Sequence, residues 1–570
     1  MPFLELVQAT LTDNGLRFSI MVKAAVVGLL VVLVLKFVKA LTSRSPYEHI
    51  PGPQPSSIFG YLPDMHNPND LDFHFKMTER HGHVARLRGG LFGSDGLYVS
   101  DPLALHTILV RNQSIFHEST EFSGLFGIIH HGDGLASVWG NDHKKQRKLM
   151  NPVFTAAYVS KLSPLFNRIA NELRSRWSAE VQSGPVVMDI LDGLTRTALE
   201  LISQGGIGHT FNSFDKNSKE FVEFHEALKD VLPAASKLFF LMPYFEAWRK
   251  IQPVWLRRTL ARLAYALPWP SLRYFINAVN TMHPVCVKVF RQKKAAMERG
   301  GVAALANTAS GGRDLTTLFM QANMEADEED KMLDEIVIAN MSAIVLGGQE
   351  TTSGAMSRLI DLMSSNPTLQ DWIREELQEA LAKKNGQPLD YYELNALPRL
   401  DALCREALRL FAPVTFVWRQ TMEDTVIPLQ YPIKDTRTQN DIHEIVVRKG
   451  TPVYVGLAST NRSTALWGPD AAEFKPERWI GRQAHESTMY QVKTPGIFSN
   501  MMTFLGGGRA CPGMKFALLE IKTVMSVLLP TFRFERTEEA VDWRLGITLS
   551  PYVRGKEEEG PRVPMQVSLM

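Results

Sequence analysis

Apolar residues along this chain are distributed in three ways, and each predicts a different kind of element. One is an unbroken run: Ala24–Leu35, AAVVGLLVVLVL, stands between Lys23 and Lys36. Another is the short run bounded by turn residues. His83–Leu87 and Gly96–Ser100, with a Gly-rich stretch between them, predict a β-hairpin, and Leu545–Leu549 reads as a hairpin turn near the C-terminus. The third is helical in period. Gly140–Phe154, GNDHKKQRKLMNPVF, is helix-compatible and crowded with cations. A Gly/Ser loop at Thr308–Gly312 and an acidic cluster at Glu325–Asp330 precede a long helical pattern that runs to about Ser364. Acidic residues at its N-terminal end suit the helix dipole. Met514–Leu529 is apolar-rich and also helical in pattern. Phe122–Gly132, FSGLFGIIHHG, is apolar but broken by glycines, and predicts a loop. No internal repeat or low-complexity segment interrupts the body from Gly60 onward.

The unbroken run bears on where the chain resides. A dozen helical residues span roughly 18 Å, short of a hydrocarbon core about 30 Å thick. Extended to Ile20–Leu41 the segment is long enough, with Lys23, Lys36 and Lys39 snorkelling to the interfaces. A cleaved signal peptide is the rival, but Lys36, Phe37, Val38 and Lys39 occupy the place of a small-residue cleavage site. Residues 20–41 are therefore expected to be a retained membrane anchor after a short N-terminal segment, 1–19. Lys36, Lys39 and Arg44 orient the body to the cytosolic side. A proline-rich linker, 42–59, containing Ile50-Pro51-Gly52-Pro53, leads to one large body, 60–570.

Composition narrows the class. Of the 570 residues, 45% are hydrophobic and 21% charged, which permits a sizeable core. Lys plus Arg number 62 against 60 for Asp plus Glu, a balance that offers no footprint for nucleic acid. The cysteines, Cys286, Cys404 and Cys511, lie far apart without zinc-like spacing. Neither disulfides nor structural zinc are expected, and the body belongs in a reducing compartment. Val231 to Trp269 is rich in Leu, Phe, Tyr, Trp and Pro, most densely in LFFLMPYFEAW. Such a run fits ordinary core. It fits equally a surface that dips into lipid headgroups and lines a route for lipophilic substrates.

One of the cysteines sits in a setting suited to chemistry. In Phe504–Gly513, FLGGGRACPG, glycines let the backbone pass close to a flat ligand. Cys511 stands just before a predicted helix, whose N-terminal dipole and unpaired N–H groups favour a thiolate. A thiolate so placed is a good axial ligand for haem iron. The spacing F-x-x-G-x-R-x-C-x-G is complete as Phe504, Gly507, Arg509, Cys511 and Gly513. It resembles the haem-binding loop of the cytochrome P450 family. That resemblance implies that Cys511 is the proximal ligand of the iron, that Phe504 packs against it and that Arg509 meets a haem propionate.

Further motifs follow the family's order. Counting back from Asn151-Pro152-Val153-Phe154, Arg147 falls where the family has a propionate-binding arginine, and His143 falls where many members carry tryptophan. Trp139 is a full helical turn away, whereas His143 can itself donate a hydrogen bond to a carboxylate. GGQETT, Gly347–Thr352, stands in the middle of the long helical pattern. Adjacent glycines weaken a helix by roughly 1 kcal/mol each, and Thr351 can turn its hydroxyl to the Gly347 carbonyl. Glu350-Thr351 resembles the family's acid–alcohol pair, which relays protons to oxygen. Glu406 and Arg409 share a helix face and, with Arg478 of Phe474–Trp479, resemble the family's interlocked support of the haem pocket. Arg419 matches another propionate contact. The resemblance implies pocket walls at Phe122, Phe126, Ile128 and Ile129, at Gly347 and Gly348, at Thr415 and Phe416, and at Ile547. Together with TALELISQGGIGHTF at Thr197–Phe211, the stretch at Gly140–Phe154 is similar to the basidiomycete fungal branch.

The resemblance covers roughly Pro51 to the C-terminus. It implies a mainly α fold with small β-sheets, the haem-thiolate fold, behind an N-terminal anchor of the microsomal type in the endoplasmic reticulum membrane. The activity implied is a monooxygenase that uses haem b and O2. No Gly-x-Gly-x-x-Gly follows a strand and opens a helix, and the stretch beyond Cys511 is too short for a fused flavin reductase. Electrons are therefore expected from NADPH through a separate NADPH–cytochrome P450 reductase, with cytochrome b5 as a further donor. Lys144, Lys145 and Lys148 are expected to be exposed and to dock an acidic redox partner. The expected substrate is a lipophilic small molecule, first a terpenoid of fungal secondary metabolism and second a xenobiotic. A haem-thiolate isomerase or peroxygenase would share Cys511 but has less need of Glu350-Thr351. A non-catalytic haem-binding membrane sensor would bind haem without inserting oxygen.

Overall fold

A computed structural model describes residues 45–570 except 91–92, 216, 239–240, 307–309 and 482–491, together with 27, 28, 31 and 34. The expected anchor, 20–41, thus lies almost wholly outside the described residues. No helix among those described is long and apolar enough to cross a membrane.

The body is mainly helical with small sheets. The helices that position the site are α1 (Thr120–Ile129), α2 (Gly140–Met150), α3 (Ile190–Ile202), α4 (Met242–Arg249), α5 (Val254–Ala266), α6 (Pro270–Gly300), α7 (Asp334–Ser364), α8 (Pro398–Leu410) and α9 (Met514–Leu528). Strands β1 (Val84–Leu87), β2 (Gly96–Val99), β3 (Phe116–His117), β4 (Phe416–Thr421) and β5 (Pro452–Gly456) form one sheet in the order β1-β2-β5-β4-β3. The predicted hairpin is β1 and β2, antiparallel with Val84 opposite Val99 and Leu87 opposite Gly96. The β2–β5 pair is parallel.

From residue 45 the expected linker is fastened to this sheet. Tyr47 and Ile50 are buried in the core beneath it. The N–H of Arg86 on β1 donates to the Pro51 carbonyl at 2.7 Å. A side chain at Gly52 would run into the Arg86 carbonyl, so glycine permits the close approach.

The long helical pattern is α7, which opens on Asp334 and Glu335 and buries Met341, Val345, Met356 and Leu359 in the helical core. It ends at Ser364, as its periodicity predicts. The stretch predicted as a loop, Phe122–Gly132, is instead mostly the helix α1. Ser119 caps it, its Oγ accepting the Phe122 N–H at 3.3 Å. The glycines that suggested a loop are contact points with α4: a side chain at Gly124 would strike the backbone at Phe245–Glu246, and one at Gly127 the Arg249 guanidinium. Close packing here outweighs the poor helix propensity of glycine, roughly 1 kcal/mol each.

The aromatic-rich run divides between the two readings. Val231, Leu232 and Phe245 are buried, whereas Tyr244, Trp255, Leu263 and Leu267 are exposed on and around α4 and α5.

Two core histidines bond inward: His74 Nε2 pairs with the Met65 carbonyl and His130 Nδ1 with Ser342 Oγ, both at 2.9 Å. Burial lowers His74 to about 4 and His130 to about 3. Both are neutral in the fold and take up a proton on unfolding between those values and 6.5, so they stabilise less as pH falls through that window. His66, His131, His143 and His225 behave alike, whereas burial raises Glu350 and Glu520 and gives the opposite sign. The histidines are the larger set. Urea midpoints of the full chain should fall as pH is lowered from about 7 to about 5; a midpoint that rises over that interval contradicts this balance.

Candidate active site

The cysteine loop runs from the strand Met501–Gly506 through Gly507–Arg509 into α9. Gly507 takes φ +69°, and a side chain there would strike the Leu109 carbonyl, so only glycine fits. The Cys511 N–H donates to the Phe504 carbonyl at 2.9 Å and closes the loop. Phe504 meets Phe498 edge-on, ring centroids 5.5 Å apart. Burial pushes the Cys511 thiol up, and the N–H groups of Gly513 and Met514 together with Arg147 pull it back only in part. The helix end alone therefore does not deliver the thiolate expected from sequence. Iron would complete the task, because a coordinating thiol is deprotonated outright. A Cβ on Gly513 would meet only the Cys511 Sγ, at 3.9 Å, so the chain leaves space beside the thiol.

Cations gather next to this loop. Arg147 Nη1 donates to the Ala510 carbonyl at 3.0 Å, and Arg509 donates to the carbonyls of Leu135 at 3.2 Å and Val138 at 2.6 Å. Arg419, on β4, donates to the Trp418 carbonyl at 2.5 Å. Their counter-charge among the described residues is Glu118, which no motif announced. Its carboxylate lies 2.8 Å from Arg509 Nη2 and 3.3 Å from Arg419 Nη1. It follows β3 and precedes the cap of α1, so only the folded sheet reveals it. His143 is buried, and burial with Arg509, Arg147 and Arg419 lowers it to about 3, so it stays neutral. Arg419 Nη2 is buried with no hydrogen-bond partner. The cluster holds surplus positive charge and an unspent donor.

Gly347 is exposed in mid-helix, between the buried Leu346 and Gln349 two residues on. No atom lies within 4 Å of where its Cβ would stand. The Thr351 hydroxyl donates to the Gly347 carbonyl at 2.8 Å, the bond its spacing predicts. Glu350 Oε1 accepts from Thr548 Oγ1 at 2.7 Å, and its Oε2 is buried without a partner. Burial raises the Glu350 pKa and the Thr548 bond opposes it. Thr548, unforeseen in the sequence, lies beside Ile547 in the turn between Val541–Leu545 and Leu549–Val553. Phe122 meets Phe126 at 4.5 Å and Trp418 at 5.6 Å, next to Thr415 and Phe416.

The cytochrome P450 family model matches residues 50–544. Cytochrome P450 monooxygenase 91 of Postia placenta is 38% identical over 92% of this chain and 94% of its own length. Ganoderic acid synthetase of Ganoderma lucidum is 33% identical over 97% and 99%. A cytochrome P450 monooxygenase of Hericium erinaceus is 32% identical over 97% and 98%. The chain belongs to the cytochrome P450 family. It is an oxidoreductase like the monooxygenases it resembles, and the family implies a haem-thiolate iron cofactor. The residues present fit that group: a cysteine beside open space, and surplus guanidinium charge suited to paired carboxylates.

Three expected pocket walls of this P450 turn elsewhere. Gly348 faces α3, where a side chain would meet Ile202 at 2.6 Å, so the second glycine serves helix packing. Ile129 is fully buried in the helical core. Ile128 lines a cavity of ≈ 940 Å³ between α1, α4, α5 and α6. Once α1 is helical, residues 122, 126 and 129 share a face, along which Ile129 is packed into the core, and residue 128 turns away from it.

The supporting triad of the P450 is assembled. Glu406 and Arg409 are fully buried and bonded through two oxygens, at 2.8 and 2.9 Å. Arg478 Nε lies 3.4 Å from Glu406, and the Trp479 indole donates to it at 2.8 Å. Burial raises Glu406, but the bonds and charge of Arg409 hold it below the usual carboxylate range. Of the expected docking lysines, Lys148 pairs with Asp330 at 2.5 Å and Lys145 donates to the Glu329 carbonyl at 2.8 Å. The acidic stretch beside α2 pairs with both, yet Lys148, like Lys144, remains exposed, and Lys145 is half-buried.

The adjacent glycines of α7 should separate in a stability assay. Gly348→Ala presses on Ile202 and should destabilise by about 1–3 kcal/mol. Gly347→Ala meets no atom and should be neutral or stabilise by up to about 1 kcal/mol. Urea denaturation of the two variants checks the order, and a reversed order contradicts it.

Proposed function

We propose that this P450 inserts one oxygen atom from O2 into a lipophilic small molecule, by hydroxylation of a terpenoid or related fungal secondary metabolite. Cys511 beside surplus guanidinium charge carries the reading, and the open position at Gly347 with its bond from Thr351 on α7 supports it. The terpenoid class draws support from the relative named for a ganoderic acid.

Cys511 is the iron ligand, in a loop closed by Phe504 and bordered by Gly507 and Gly513. Arg147, Arg419 and Arg509 bind the propionates, with the Arg419 Nη2 donor and the neutral His143 imidazole aimed at the same anions. Glu406, Arg409 and Arg478 brace the pocket from behind. Bound there, haem supplies oxygen activation and one-electron redox chemistry. Thr351 holds a proton at Oγ1 on the open side of α7. Glu350, its pKa raised by burial, offers the unpartnered Oε2 for proton transfer and is oriented by Thr548. Phe122, Phe126, Thr415, Phe416 and Ile547 shape the cavity and exclude water. Electrons come from NADPH through a separate reductase, with cytochrome b5 as a further donor and Lys144 as the free docking charge. Residues 20–41 anchor the body at the endoplasmic reticulum membrane with the catalytic part cytosolic. Exposed Trp255 and Leu263 near Arg258 and Arg262 suit α5 to the headgroup layer.

Microsomes holding the full chain and a reductase should incorporate label from ¹⁸O₂ into a terpenoid when NADPH is supplied. An isomerised or unlabelled product contradicts the proposal. Thr351→Ala should keep the haem but lower product formed per NADPH by at least about tenfold, with the balance released as peroxide. Full coupling in that variant contradicts the proton-relay role.

A further inference from the structure

The cavity of ≈ 940 Å³ that Ile128 lines is bordered by none of Phe122, Phe126, Thr415, Phe416 and Ile547. It adjoins the face of α1 that turns away from residues 122 and 126. Its volume is that of a small-molecule pocket, roughly 300–1,000 Å³. Leu272, Phe275, Ile276 and Val279 of α6 give it an apolar flank. One turn beyond Val279 on the same helix, His283 also lines it and stacks on His131 at the exit of α1, ring centroids 4.3 Å apart. His131 takes φ +55°, a conformation that few non-glycine residues adopt. The Nδ1 of His283 is buried without a hydrogen-bond partner.

Two cations of α5, Arg257 and Arg258, border the same cavity. Burial lowers His131 to about 4, His283 and both arginines add to the effect, and a bond to the Val279 backbone opposes it; no carboxylate acts there. The acids of the lining are engaged or set apart. Asp133 and Glu246 pair with Arg249, at 3.0 Å for Glu246, which also holds Lys250 at 3.1 Å, and Glu335 is exposed on the first turn of α7. Arg257 Nη1 donates to the Arg249 carbonyl at 2.5 Å, and neither Arg257 nor Arg258 is ion-paired among the described residues. Leaving the buried nitrogen unpaired is unfavourable until a ligand meets it. Guanidinium groups bond carboxylates strongly, and the flank of α6 accepts an apolar body.

We propose that this cavity is a second binding site, separate from the one at Cys511, and that it takes a lipophilic carboxylate. The apolar body lies along α6, and the carboxylate meets Arg257 and the His131–His283 pair, with Arg258 at the rim. Helix α1 is the wall common to both sites. The site stands on its own lining and does not depend on the monooxygenase reading.

The test is photo-crosslinking of the haem-loaded full chain with a diazirine-bearing palmitate, the labelled peptides being mapped by mass spectrometry. Label should fall on the peptides of α4, α5 and α6. Dodecanoate should compete for it, and dodecanol at the same concentration should not. Arg257→Gln should raise the half-saturating probe concentration about tenfold, and Arg257→Lys, which keeps the charge, should restore most of the binding. His283→Phe keeps a ring in the stack but removes the unpaired nitrogen, and should weaken labelling as well. Arg258→Gln, at an exposed position, should weaken it less than Arg257→Gln. Equal competition by dodecanol, or half-saturation unchanged in both Arg257→Gln and His283→Phe, overturns the assignment. So does label confined to peptides holding Thr415, Phe416 or Ile547, which would place the probe in the haem pocket.

Discussion

Two guanidinium groups share one carboxylate and a third stands beside the same loop, a charge imbalance that is relieved when an anion joins it. Arg419 and Arg509 share Glu118, Arg147 is bonded only to a carbonyl oxygen, and one Arg419 nitrogen is left with nothing to bond. Much of the architecture serves to hold this arrangement. β4 delivers Arg419, α2 delivers Arg147 and His143, and the loop before α9 sets Arg509 two residues ahead of Cys511. The surplus guanidinium charge suits the anionic, iron-bearing group that the family implies, and burial pushes the Cys511 thiol up.

Helix α7 carries two adjacent glycines with different surroundings. Gly348 allows α3 to come close, and Gly347 leaves the helix open where Thr351 bonds back to its carbonyl. The neighbouring acid is then fixed from outside the helix by Thr548. That bond ties Glu350 to the turn that also carries Ile547.

Much of this was legible in the sequence where a local rule applies. The β1–β2 hairpin, the long helix ending at Ser364, the back-bond of Thr351 and the Glu406–Arg409 pair each depend on spacing within one element. What stayed hidden depends on contacts between distant segments. The glycines of α1 read as loop formers because α4, the reason for them, lies more than a hundred residues away. With the loop reading went the expectation that Ile128 lines one wall with Phe122 and Phe126, from whose face a helix turns it away. Glu118 and Thr548 have no motif, and each acquires its meaning only from the partner that the fold places beside it.

The measurement closest to the central claim is the carbon monoxide difference spectrum of the dithionite-reduced full chain, taken beside that of Cys511→Ala. The account predicts a long-wavelength, thiolate-type Soret band in the wild type and its loss in the variant. A folded, haem-loaded protein without that band, or a band that survives the loss of Cys511, would contradict it.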